Sequence, residues 1–124
     1  MSNVLKELIK AEEDAVEFGC EWPNEEYIFE QVISECNEVK SAIQDNEGKD
    51  RIQEEIGDLL HTSISLCRFA GFDIEETLTK TVKKFTNRIQ ALKEITRLKG
   101  LDSLQGQSSK FILELWSEAK KRDK

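Results

Sequence analysis

Apolar residues return every three to four positions along almost the whole chain, and a single proline interrupts the pattern. A period near 3.6 admits amphipathic helices and little else, because a strand needs strict alternation. Five helical segments follow. The first runs from Asn3 to Phe18, with Leu5, Leu8, Ile9 and Val16 inward and Gly19 as its stop. The second begins after Trp22-Pro23, with Asn24 as the expected N-cap, since its side chain can accept a bond from an otherwise unpaired backbone N–H. Its stripe is Ile28, Val32, Cys36, Val39 and Ile43. Asp45-Asn46-Glu47-Gly48 is turn-forming, after which Ile52, Ile56, Leu59, Leu60, Ser63 and Cys67 trace a third helix ending at Gly71. Asp73 with Glu76 gives a capping-box-like start to the fourth, which carries Leu78, Val82, Phe85, Ile89 and Leu92 and ends at Gly100. A loop with Gly106, Ser108 and Ser109 leads to a fifth, marked by Phe111, Ile112, Leu115 and Trp116. Ile64, Leu66 and Phe69 widen the apolar arc of the third helix, which predicts a central helix or one buried at a subunit interface.

The expected fold is all-α, a bundle of four main helices with a C-terminal helical extension, in one domain over residues 1–124. A formal charge of −7 argues against a nucleic-acid partner, and the basic run Lys120-Lys121-Arg122 reads as a solvated helix end. Cys20, Cys36 and Cys67 are odd in number and lack C-x-x-C spacing, so they read as reduced, semi-buried thiols, Cys36 as core. The chain enters a charged amphipathic pattern at once and has no apolar run of membrane-spanning length, so a cytoplasmic protein without a membrane partner is expected.

Chemistry is concentrated in acids. Glu35 and Glu38 stand three apart on the second helix, and Glu55 and Asp58 repeat the spacing on the third, so each helix offers a two-carboxylate fork. Glu35 and Glu55 fall near the margin of their apolar stripes, with Glu38 and Asp58 further round on the same side. Antiparallel packing across the short link brings both forks to one rim, where repulsion calls for a cation. All-oxygen ligands suit a hard ion such as Mg²⁺. The same spacing recurs at Asp14 and Glu17, at Glu47 and Asp50, and at Asp73 and Glu76, so spacing alone favours solvated faces and capping over a metal site.

Ser34-Glu35-Cys36-Asn37-Glu38-Val39 followed by Glu54-Glu55-Ile56-Gly57-Asp58-Leu59-Leu60 resembles the E-x-x-E and E-x-x-D signature of the MazG-like nucleotide pyrophosphohydrolases. That family is part of an all-α superfamily with the dimeric dUTPases and phosphoribosyl-ATP pyrophosphohydrolases. Trp22-Pro23, Lys84-Phe85-Thr86-Asn87-Arg88 and Leu115-Trp116-Ser117-Glu118-Ala119-Lys120 are similar to further segments of single-domain members. The resemblance implies a MazG-like domain in which Glu35, Glu38, Glu55 and Asp58 are catalytic and ligate Mg²⁺, with Mn²⁺ as substitute. It implies that Lys84 and Arg88 meet the triphosphate and that Trp116 and Lys120 reach the base or the phosphates. On its own, the first pair reads equally as an ordinary surface pair, and Trp116 as core. The implied reaction turns a nucleoside triphosphate into a monophosphate and pyrophosphate, in a homodimer or homotetramer. Alternatives are a relative restricted to dUTP or dCTP and a non-catalytic helical binding module. Many members have a further Glu where this chain has Ser34, which puts a second metal position, or the group orienting the attacking water, in question. His61, the only histidine, reads as a packing or surface residue.

Overall fold

The helical periodicity is realised in a computed structural model of the chain, which describes residues 3–122. It contains α1 (Asn3–Phe18), α2 (Glu25–Gln44), α3 (Lys49–Phe69), α4 (Ile74–Leu98) and α5 (Ser109–Arg122), and the described residues include no strand. The all-α expectation is met. Boundaries fall where the local chemistry places them. Asn24 Oδ1 accepts from the Tyr27 N–H at 2.9 Å and caps α2, a contact typically worth about 1 kcal/mol. Ser108 Oγ accepts from the Phe111 N–H at 3.2 Å, so Ser108 is the cap and Ser109 opens α5.

Between α2 and α3 the chain reverses within residues 45–48. Asn46 at φ 52° and Gly48 at φ 98° both occupy the left-handed side of backbone space. Asparagine tolerates that region, and glycine enters it without a Cβ clash. The two helices then pack against each other as a hairpin.

Their contact face differs from the stripes drawn from the sequence. In α2, residues 28, 32, 35, 39 and 42 are buried or half-buried, and in α3, residues 52, 55, 59 and 62. Steps of four and three make a seam of period near 3.5, as in paired helices. Ile28, Val32 and Val39 fit the expected stripe, but Cys36 and Ile43 are exposed, and Ala42 is buried in their stead. In α3, Ile56 and Leu60 are 41% and 62% exposed and Ser63 is outside, while Thr62 is buried. Both helices are apolar on more than one side, so periodicity alone cannot choose the face that meets a neighbour. Small Ala42 and Thr62 permit close approach, and the seam they select carries Glu35 and Glu55 inward rather than along its margin.

The chain divides into one unit up to Glu75 and another from Glu76 onward. In the first, Ile28 is fully buried, which stabilises by roughly 1.5–3 kcal/mol. In the second, Ile95, Leu115 and Ala119 form the core, flanked by Leu92, Leu104, Phe111 and Trp116. Trp116 also meets Phe85 edge-on, with ring centroids 6.0 Å apart. None of Cys20, Cys36 and Cys67 is in a disulfide. Against the expectation of semi-buried thiols, Cys20 and Cys36 are exposed and only Cys67 is half-buried. Among the described residues no helix is long and apolar enough to cross a membrane.

Candidate metal centre

The seam brings the two forks together. A carboxylate oxygen from each of Glu35, Glu55 and Asp58 lies within 4.8 Å of the others. Glu38, one turn from Glu35, shares a hydrogen bond with Glu55. Glu55 is 2% exposed, Glu35 is half-buried, and Glu38 and Asp58 face solvent. The hydrogen bond shared with Glu38, together with burial and the nearby charges of Glu38 and Asp58, holds the Glu55 carboxyl above its ordinary value, while Arg51 partly offsets the rise. Glu35 Oε2 and Glu55 Oε2 are buried without a hydrogen-bond partner. A buried acceptor left in that state costs about 1–3 kcal/mol, more when charged. Hard oxygen donors from two helices, two of them unsatisfied, fit a divalent cation of the Mg²⁺ type.

One basic group reaches this cluster from the same helix. Arg51 places Nη2 2.5 Å from Glu55 Oε1, Nη1 3.1 Å from Glu54 Oε2 and Nε 3.5 Å from Glu47 Oε1. Beside it opens a cavity of about 470 Å³ whose walls include Glu30, Ser34, Asn37, Glu38, Arg51 and Glu55. Ser34, where the family pattern often carries an acid, therefore stands in the wall of this cavity. The remaining candidates belong to the other unit. Lys84 on α4 and Lys120 on α5 are exposed, and Arg88 is half-buried. Trp116 is half-buried against Phe85 and the local core.

A second buried carboxylate sits between α1 and α3. Glu12, 7% exposed, accepts from Ser65 Oγ, from His61 Nε2 at 2.8 Å and from Arg68 Nε at 3.0 Å. Arg68 also forks onto Glu21 with contacts of 3.2 and 3.0 Å. Burial alone would raise the Glu12 carboxyl, but the bonds from Ser65, His61 and Arg68 outweigh it and hold it below its ordinary value. His61 is thus the packing residue its position suggests, half-exposed and tied to α1. A cavity of about 500 Å³ adjoins the network, walled by Leu8, Ala15, Trp22, Pro23 and Tyr27.

Sequence reasoning passed over Glu12, Arg68 and Arg51. Signals for two of them were present. Glu12 is an acid set on the apolar stripe of Leu5, Leu8, Ile9 and Val16, and Arg51 lies four residues before Glu55, the spacing of a helical ion pair.

The chain is 32% identical over 114 residues to the nucleoside triphosphate pyrophosphohydrolase/pyrophosphatase MazG of Thermotoga maritima, covering 92% of this chain and 43% of that protein. It is 25% identical over 118 residues to the nucleoside triphosphate pyrophosphohydrolase of Escherichia coli strain K12, with the same coverage of 92% and 43%. An uncharacterized Bacillus subtilis protein, YabN, is 32% identical over 73 residues, which cover 59% of this chain and 15% of YabN. The chain thus spans less than half the length of the two pyrophosphohydrolases it matches. The model of the MazG nucleotide pyrophosphohydrolase domain matches residues 24–92, the stretch that holds all four clustered acids, and the chain belongs to that family.

Proposed function

We propose that this domain is a Mg²⁺-dependent nucleoside triphosphate pyrophosphohydrolase, releasing a nucleoside monophosphate and pyrophosphate, with Mn²⁺ able to replace Mg²⁺. The observation that carries the reading is the convergence of Glu35, Glu55 and Asp58, joined by Glu38 through Glu55, around two buried oxygens that have no donor. These four residues would hold the ion. Bound there, it would supply charge neutralisation and polarise the phosphoryl oxygens of the substrate.

The protein's own groups do the rest. The exposed carboxylates, Asp58 and Glu38, are the ones able to accept a proton from the attacking water and align it in line with the scissile bond. Glu55, buried and fixed by its neighbours, is assigned as a ligand. Lys84 and Arg88, four apart on one face of α4, are assigned to the triphosphate, where charge-assisted bonds are typically worth about 1.5–3 kcal/mol. Lys120, with Trp116 four residues before it on α5, is assigned to the substrate as well. On the first unit, the cavity beside Trp22 and Tyr27 is of a size and apolarity that accepts a flat ring. It begins at His61, one turn beyond Asp58 on α3.

A homodimer or homotetramer belongs to the proposal. Leu78, Val82 and Phe85 form a stripe on α4 that is 45%, 63% and 56% exposed, and Leu60 on α3 is 62% exposed. Apolar rows of this kind mark surfaces that associate.

The test is a panel of standard and modified nucleoside triphosphates, dUTP and dCTP included, assayed for pyrophosphate with Mg²⁺, with Mn²⁺ and with chelator. Metal-dependent pyrophosphate release is expected. Orthophosphate release would relocate the cleaved bond, turnover of one deoxypyrimidine alone would narrow the substrate, and no turnover with either ion would sink the reading. Sedimentation equilibrium reads the assembly.

A further inference from the structure

Arg51 holds an ion pair to the acidic centre from within α3 itself. It starts one turn before Glu55 on α3 and reaches forward to that carboxylate, whose side chain is 3% exposed while its own is 52% exposed. A half-solvated guanidinium is therefore docked on the most buried acid of the cluster. Its other nitrogens rest on Glu54 and Glu47, side chains 69% and 38% exposed, neither of which belongs to the four-acid set.

We propose that Arg51 is a tethered counter-cation of the metal centre, neutralising Glu55 in the metal-free protein and giving way when a divalent ion takes that carboxylate. The inference rests on the metal reading above. Three observations carry it. Glu35, Glu38, Glu55 and Asp58 crowd together and the Arg51 guanidinium is paired to the most buried of them, so it offsets their mutual repulsion in the metal-free centre. The pair engages Glu55 through Oε1 and leaves Oε2 buried and unsatisfied, so the guanidinium relieves the carboxylate only in part. Displacement is also undemanding, because Arg51 keeps Glu54 and Glu47 as partners and borders an open cavity of about 470 Å³ into which it can turn. The consequence is a threshold. An ion must outcompete the guanidinium, which sets metal affinity lower than the four acids alone would give, in exchange for a centre that stays folded without metal.

The experiment is calorimetric titration of Mn²⁺ into metal-free protein without nucleotide, paired with melting in chelator and in saturating Mn²⁺. Arg51→Met keeps the aliphatic stem and removes the charge. It should bind Mn²⁺ about two- to fivefold more tightly, the range expected when a solvent-screened ion pair no longer competes. It should also melt lower than wild type in chelator, with the gap closing in saturating Mn²⁺. Arg51→Lys should restore wild-type affinity to within about twofold. Lys49→Met removes the same charge two positions upstream and should leave affinity nearly unchanged. Unchanged or weaker binding in Arg51→Met overturns the proposal, as does equal tightening in Lys49→Met, which would mean a general field effect. Wild-type protein that binds no Mn²⁺ would instead remove the metal reading, and the competition with it.

Discussion

Two buried glutamates in the same unit have opposite surroundings. Glu12 sits between α1 and α3 with hydrogen-bond donors from Ser65, His61 and Arg68, and its carboxyl is held below its ordinary value. Glu55 sits between α2 and α3 with Glu35, Glu38 and Asp58 around it and Arg51 opposing them, and its carboxyl is held above. Burial penalises both charges; what differs is the sign of the neighbours. Glu12 is complete within the chain, and the difference marks it as a structural tie. Glu55 is left short of donors, which is how a site built for something brought from outside differs from one built to hold the fold.

The sharpest break of this contrast is by exchange of a single atom. Glu55→Gln should lower turnover by about a hundredfold or more, or about 2.7 kcal/mol of transition-state stabilisation, while its melting temperature in chelator matches or exceeds that of wild type. Steady-state pyrophosphate release and calorimetry on the same samples check it. A large loss of metal-free stability with turnover intact would make Glu55 a second structural tie.

Glu12→Gln should do the reverse. Removing the charge leaves the partly buried Arg68 without its inner partner and sets an amide nitrogen among donors, at a cost of about 2–3 kcal/mol, discounted from fully buried pairs because His61 is half-exposed. Urea unfolding reads this, and turnover per folded molecule should change little. Ser65→Ala sharpens the same side. It removes one donor of the Glu12 set and should destabilise by about 1 kcal/mol, whereas Glu38→Gln at the other cluster should leave metal-free stability equal or higher.

The smallest expected effect is in the pH profile of melting in chelator. Glu12 has a depressed value when folded, so its contribution is present above the ordinary 4.5 and is lost as pH falls through the lower, folded value. Glu55 has a raised value, so its contribution is present at low pH and is lost as pH rises through the higher, folded value. Glu12→Gln should therefore flatten the acid limb and Glu55→Gln the limb above the carboxylate range. Identical profiles in all three proteins would mean that the two environments do not differ in the way their neighbours imply.

Much of this was legible in the residues. The ends of α1, α2 and α3 follow from Gly19, Asn24, Gly48 and Gly71, because caps and stops act through bonds spanning three or four residues. The two forks were legible for the same reason, since i and i+3 share a helix face whatever surrounds the helix. Local geometry and spacing are properties of a chain segment, and a sequence states them directly.

The seam was not legible. Cys36, Ile43, Ile56 and Leu60 look as suited to the interior as Val32 or Leu59, and only the packing of α2 on α3 decided which of them turn inward. That choice carried Glu35 and Glu55 into the contact, separated the fate of Glu55 from that of Glu12, and brought Arg51 onto one acid while Ser65, His61 and Arg68 converged on the other. Glu12 and Ser65 are 53 residues apart. The charge environment of a buried group is summed over neighbours from several elements, and those neighbours exist only once the helices have packed.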